Sequence, residues 1–108
     1  MLDGKRKLRY IPLFYNDLEN AADYIANTIG NVQAAIELLD KVEVAILNRL
    51  PIADAFEPYP SRKERKQDYY KIYVGNYVIY YVVLEEDGES VMEVRRFLYR
   101  GRNREVLI

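Results

Sequence analysis

Two apolar, aromatic runs meet across a Gly-Asn pair, and this feature limits the fold more than any other. Tyr69 to Val74 and Tyr77 to Leu84 are rich in β-branched and aromatic residues, and Gly75-Asn76 between them leaves room only for a tight reversal. The second run is almost unbroken in apolar character, the pattern of a strand buried on both faces. Glu85-Glu86-Asp87-Gly88-Glu89 makes a second turn, and Val91 to Leu98 a further strand. The C-terminal half therefore reads as a three-stranded antiparallel meander.

The N-terminal half changes period. Lys7 to Ile11 alternates as a strand and ends at Pro12. Phe14, Leu18, Ala21, Ala22, Ile25 and Ile29 then form the buried stripe of a first helix, with Asp17, Glu19 and Asp23 elsewhere on its surface. Gly30 stops that helix and Asn31 can cap the next. In the second helix Val32, Ala35, Ile36, Leu39, Val42, Ile46 and Leu50 repeat the stripe until Pro51. A short turn makes the pair antiparallel. Residues 51 to 68, with three prolines and the run Arg62-Lys63-Glu64-Arg65-Lys66, read as a loop. The fold class is α+β: an N-terminal strand, an antiparallel helical hairpin and the meander, with the helices on one face of a sheet of about four strands.

Composition narrows the chemistry. The 108 residues suit one domain spanning 1–108, large enough for a core without staples. With no cysteine there is neither a disulfide framework nor a thiolate metal site, which fits a reducing cytoplasm. Lys5-Arg6-Lys7 precedes Arg9 and a proline instead of the apolar core of a signal peptide, and no apolar run approaches the roughly 20 residues that span a bilayer. The chain also has no histidine, which excludes Ser-His-Asp triads, paired-histidine nucleases and most zinc sites. Glu85, Glu86 and Asp87 make a poor metal site because one hairpin turn rarely converges three ligands. No cofactor or metal is expected. Charge is unevenly spread: residues 10 to 57 hold eight acids against Lys41 and Arg49, so the positive charge lies in the flanking segments.

The string Tyr70-Lys71-Ile72-Tyr73-Val74-Gly75-Asn76-Tyr77-Val78-Ile79-Tyr80-Tyr81-Val82 resembles the central hairpin of the RelE/ParE superfamily. Glu93-Val94-Arg95-Arg96-Phe97-Leu98-Tyr99-Arg100-Gly101-Arg102-Asn103 is similar to that superfamily's last strand. The resemblance implies the toxin of a type II toxin–antitoxin pair, cytoplasmic, with a cognate antitoxin whose disordered segment folds onto it. For members that cleave mRNA on the ribosome, it implies a site that activates a ribose 2′-OH against the neighbouring phosphate. In that reading Tyr99 stands where the family carries a catalytic histidine or tyrosine and could donate a proton to the leaving oxygen. Arg96, Arg100, Arg102 and Lys71 could hold phosphate, and Glu57 before Pro58 stands where some members carry a base. Two departures matter: Val78 replaces an arginine usual in the nucleases, and Tyr73 replaces a second basic residue.

Three functions stay open. The expectation placed first is a ribosome-dependent mRNA endonuclease, acting without metal. The alternatives are a ParE-like inhibitor that binds DNA gyrase without catalysis, and a degenerate toxin acting only as a binding partner. The residues themselves carry plainer readings too. Lys71 on an exposed edge can serve solubility alone, Arg100, Arg102 and Arg104 can be a solvated tail, and the tyrosines can be packing instead of a base-stacking platform among Tyr73, Tyr77, Tyr80 and Tyr81. Arg95 and Arg96, being adjacent in a strand, are expected on opposite faces.

Overall fold

A computed structural model describes residues 6–58 and 68–101. The element order is β1 (Lys7–Tyr10), α1 (Pro12–Asp23), α2 (Val32–Arg49), β2 (Tyr70–Val74), β3 (Tyr77–Glu86) and β4 (Glu89–Tyr99). The four strands form one sheet in the order β1-β4-β3-β2. β2, β3 and β4 are the antiparallel meander, and β1 lies parallel to β4 with Lys7 opposite Val91 and Tyr10 opposite Val94. That parallel pairing needs a crossover between the strands, and the helical hairpin supplies its first part. The chain is an α+β protein of the expected architecture. No helix among the described residues is long and apolar enough to cross a membrane.

Both turns of the meander follow from their residues. Gly75 takes φ of +56°, which suits the first central position of a two-residue hairpin loop. Asp87 and Gly88 both have positive φ, the pairing that an Asp-Gly loop provides. Strand β3 extends two residues further than expected, to Glu86, because that second loop is only two residues long.

The core lies between the hairpin and one face of the sheet. Phe14 of α1 and Leu38, Val42 and Ile46 of α2 pack with Ile72, Val74, Ile79, Tyr81, Met92, Val94 and Phe97. A second, smaller cluster on the opposite face joins Tyr69, Val78, Tyr80, Val82 and Leu98. Residues Val78 to Val82 are thus fully buried, as the unbroken run implied.

Three details of the helices depart from the sequence pattern. Tyr24–Thr28 forms a π-helical turn, closed by Ile29 N–H donating to the Tyr24 carbonyl. The wider turn breaks the i, i+4 stacking, so Ile29 leaves the stripe and is 60% exposed. In α2 the sheet takes the line Ala35, Leu38, Val42 and Ile46. Val32, Ile36 and Leu39, expected in the core, lie one row round the helix and stay exposed. Asp17 is not a surface acid: its side chain is only 12% exposed. Asn31 does cap α2, its side chain accepting from Ala34 N–H at 2.9 Å.

The end of α2 is held by two arginines. Arg6 donates to the Leu50 carbonyl and to Ser90, and pairs with Asp54 at 3.1 Å. Arg49 donates to the Tyr81 hydroxyl at 2.8 Å, and that hydroxyl donates to the Ala53 carbonyl at 2.7 Å. Burial pushes the Tyr81 phenol above its ordinary value, and the Arg49 bond opposes that rise. These bonds satisfy carbonyls that a helix end leaves without intrahelical donors.

Candidate functional site

Register brings three of the expected positions into one row. Lys71 of β2 stands opposite Tyr80 of β3, and Tyr80 stands opposite Arg96 of β4. Yet the side chains of that row serve different neighbours. Arg96 pairs with Asp17 of α1 through two bonds, Nε to Oδ2 at 2.7 Å and Nη2 to Oδ1 at 3.0 Å. Asp17 Oδ2 also accepts the Phe97 backbone N–H at 3.0 Å. Beyond Tyr10 the edge of β4 has no strand beside it among the described residues, and this carboxylate takes a backbone donor there.

A bulge explains why the two arginines part. The β3–β4 register jumps between Tyr80, opposite Arg96, and Tyr81, opposite Val94, leaving Arg95 as the extra residue. Simple alternation, on which opposite faces were expected, therefore does not apply here. Arg95 turns to Glu93 at 2.7 Å and to the Tyr69 hydroxyl at 3.1 Å. Glu93, buried to 8% exposure, accepts from Arg9 as well, and Arg9 grips Glu86 with two further bonds. Those two carboxylates hold the Arg9 guanidinium well above its usual range, Glu86 contributing most. This chain of charges ties β1 to β4 and to the β3–β4 turn.

Lys71 and Arg100 do come together. Lys71 Nζ lies 5.2 Å and the Arg100 guanidinium 4.6 Å from the centre of the Tyr73 ring, whose residue is half exposed. Arg100 is placed there by its own backbone N–H, which donates to the Asn76 carbonyl at 2.8 Å. Tyr73 stands opposite Val78, so the cluster lies on the sheet face away from the helices. Val78, where the resemblance would put an arginine, is fully buried beneath that face. Cations against an aromatic face are attracted to it, and the ring helps to fix their position.

Tyr99 lies on the other side. It stands opposite Tyr77, its ring edge-on to that of Tyr77 at 5.6 Å, and Tyr77 stacks on core residue Phe97 at 4.7 Å. The three rings line a groove of about 710 Å³ whose far wall is Asn20, Tyr24, Ile25 and Ile29. Burial raises the Tyr77 phenol above its ordinary value, and the hydroxyls of Tyr99 and Tyr24 add to the rise. Glu57 is exposed in the segment after α2. Arg102 and the run Arg62 to Lys66 lie outside the described residues.

The sequence reading missed Asp17 as a partner. Its signal was present: Asp17 is three residues after Phe14 and one before Leu18, inside the buried stripe, where a carboxylate needs a cation. The groove residues Asn20, Tyr24 and Asn76 carried no comparable signal, because each is ordinary on a helix surface or in a turn.

A family model described as ParE toxin of type II toxin-antitoxin system, parDE, matches residues 8–104. No curated protein matches the chain.

Proposed function

The chain belongs to the ParE toxin family of type II toxin–antitoxin systems, since the match takes in β1 through the end of β4, and from that premise we propose that it arrests growth by binding its target, DNA gyrase, and not by cleaving RNA. The family brings with it a cognate antitoxin as partner.

One observation carries the preference: the groups that phosphoryl transfer would need at one point are dispersed. Arg96 turns the Nε–Nη2 edge of its guanidinium to Asp17, Tyr99 lines the helix-side groove, and Lys71 and Arg100 sit against Tyr73 on the opposite face. A transesterification site works through donors and cations preorganised around one phosphate. A binding surface has no such requirement, and the Lys71–Tyr73–Arg100 cluster, a half-exposed ring with two cationic side chains against it, suits one. The mRNA-cleavage reading keeps one point in its favour, the single row of Lys71, Tyr80 and Arg96.

The test is primer extension on cellular mRNA after brief induction of the chain without its antitoxin. Growth arrest with mRNA 5′ ends unchanged supports action by binding. New 5′ ends within translated frames would return the nuclease reading and its residues to first place.

A further inference from the structure

Three aromatic rings from three different elements line the groove at the end of the sheet. Tyr77 of β3 and Tyr99 of β4 stand opposite each other, and their rings meet at 82° with centres 5.6 Å apart, which makes two walls of a corner. Phe97 backs the Tyr77 ring, stacked on it at 4.7 Å and 12°. Tyr24 closes the far side, its phenol near enough to Tyr77 to add to the rise in that group's pKa. The π-helical turn builds this wall. Tyr24 and Ile29, whose carbonyl and N–H close the widened turn, both line the groove and are 54% and 60% exposed there. An inserted residue of this kind costs helix regularity and recurs where a helix must shape a functional surface.

The chemistry of the walls selects a class of ligand. Among the described residues that line the groove only Asp17 is charged, and Arg96 already pairs with it at 2.7 Å. No lining cation is there to replace an anion's lost hydration. A compact, strongly hydrated ion such as ammonium gains too little from phenols and from the Asn20 and Asn76 amides to offset the water it gives up. Aromatic faces attract a cation through their quadrupole, and a quaternary ammonium gives up less water because its charge is spread over methyl groups that also bury apolar surface. Rings set at right angles, with a third across from them, surround such a group on several sides. The groove volume of about 710 Å³ lies in the range of small-molecule sites. We propose that the groove between Tyr24, Tyr77 and Tyr99 binds a small organic solute through its quaternary ammonium group. The site is independent of the target the toxin strikes, because the Lys71–Tyr73–Arg100 cluster lies on the opposite face of the sheet.

The test titrates the full chain, at constant ionic strength, with tetramethylammonium and with choline while amide and aromatic ring resonances are followed. Ammonium and dimethylbutanol, the uncharged carbon isostere of choline, serve as comparisons. Both quaternary cations should shift Tyr24, Tyr77, Tyr99 and Asn76 saturably, ammonium should not, and dimethylbutanol should bind at least about threefold more weakly than choline. Tyr24→Leu and Tyr99→Leu keep apolar bulk but remove a ring, and each should weaken choline binding about threefold to thirtyfold. Tyr24→Phe keeps the ring and should bind choline as the unaltered chain does. Tyr24 and Tyr99 are both about half exposed, so circular dichroism should show the fold kept. No saturable shift with either quaternary cation, equal affinity for dimethylbutanol, or choline affinity unchanged in both leucine variants would each overturn the proposal. So would adenosine monophosphate shifting the same rings at lower concentration than choline, because a planar base would then be the occupant. A trimethyllysine peptide bound more than about tenfold tighter than choline would overturn the assignment to a free solute and place a modified protein in the groove instead.

Discussion

Asp17 accepts from two nitrogens of Arg96 and from the Phe97 backbone at once, with both charged side chains nearly out of water. Removing the carboxylate takes the acceptor from one edge of a nearly buried guanidinium and from a backbone donor, so Asp17→Ala should cost about 3 kcal/mol in urea unfolding. Arg96→Ala should cost a similar amount, and any loss of toxicity it causes would come through the fold. Lys71→Ala and Arg100→Ala each remove a cation from the half-exposed Tyr73 ring and should each shift stability by less than about 1 kcal/mol, while the pair abolishes growth arrest. Toxicity untouched by the pair would remove the cluster from the functional surface. The phenols give a pH prediction. Tyr10, Tyr77 and Tyr81 all have their pKa raised on folding, burial being the largest cause. Their contribution is complete below the unfolded value of about 10 and is lost as pH rises through the higher folded values. Thermal melting between about pH 8 and 11 should show that decline, and Tyr77→Phe should flatten it. At this scale the sequence singled out Lys71 and Arg100 as candidate cations, and the structure sets both against Tyr73. Arg96 was illegible because its partner lies 79 residues away in the chain.

The two lines of apolar residues on α2 behave as different materials. Ile46 is 1% exposed in the core, so Ile46→Ala should cost about 2–5 kcal/mol. Ile36→Ala, on the open line, should cost less than about 1 kcal/mol by the same denaturant titration. Equal costs would mean that the open line is buried in solution. Elements themselves were legible: alternation, caps, prolines and turn residues located the four strands and the two α-helices. The face of α2 was not, because Val32, Ile36 and Leu39 share the helical period with the core line, and only the sheet decides which line it covers. The π-turn after α1 and the bulge at Arg95 were hidden for a related reason. Each inserts one residue into a period without changing residue type, and the consequences fall on Ile29 and on the Arg95–Arg96 pair.

Taken whole, the molecule presents three surfaces of different chemistry on one small sheet. The sheet face away from the helices carries Lys71, Tyr73 and Arg100; the groove between α1 and the sheet end is lined by tyrosines; and the hairpin's outer face carries the exposed apolar line of α2. Separation of the first two is what favours binding over catalysis. The near-zero net charge of −1 fits a toxin that meets proteins more readily than one that tracks a phosphate backbone. The measurement that bears most directly on this account is supercoiling of relaxed plasmid by purified gyrase with the purified chain added. Loss of supercoiling with increasing chain, relieved by the Lys71→Ala, Arg100→Ala double variant, is the result predicted. Supercoiling at an undiminished rate with chain in excess would contradict the central claim.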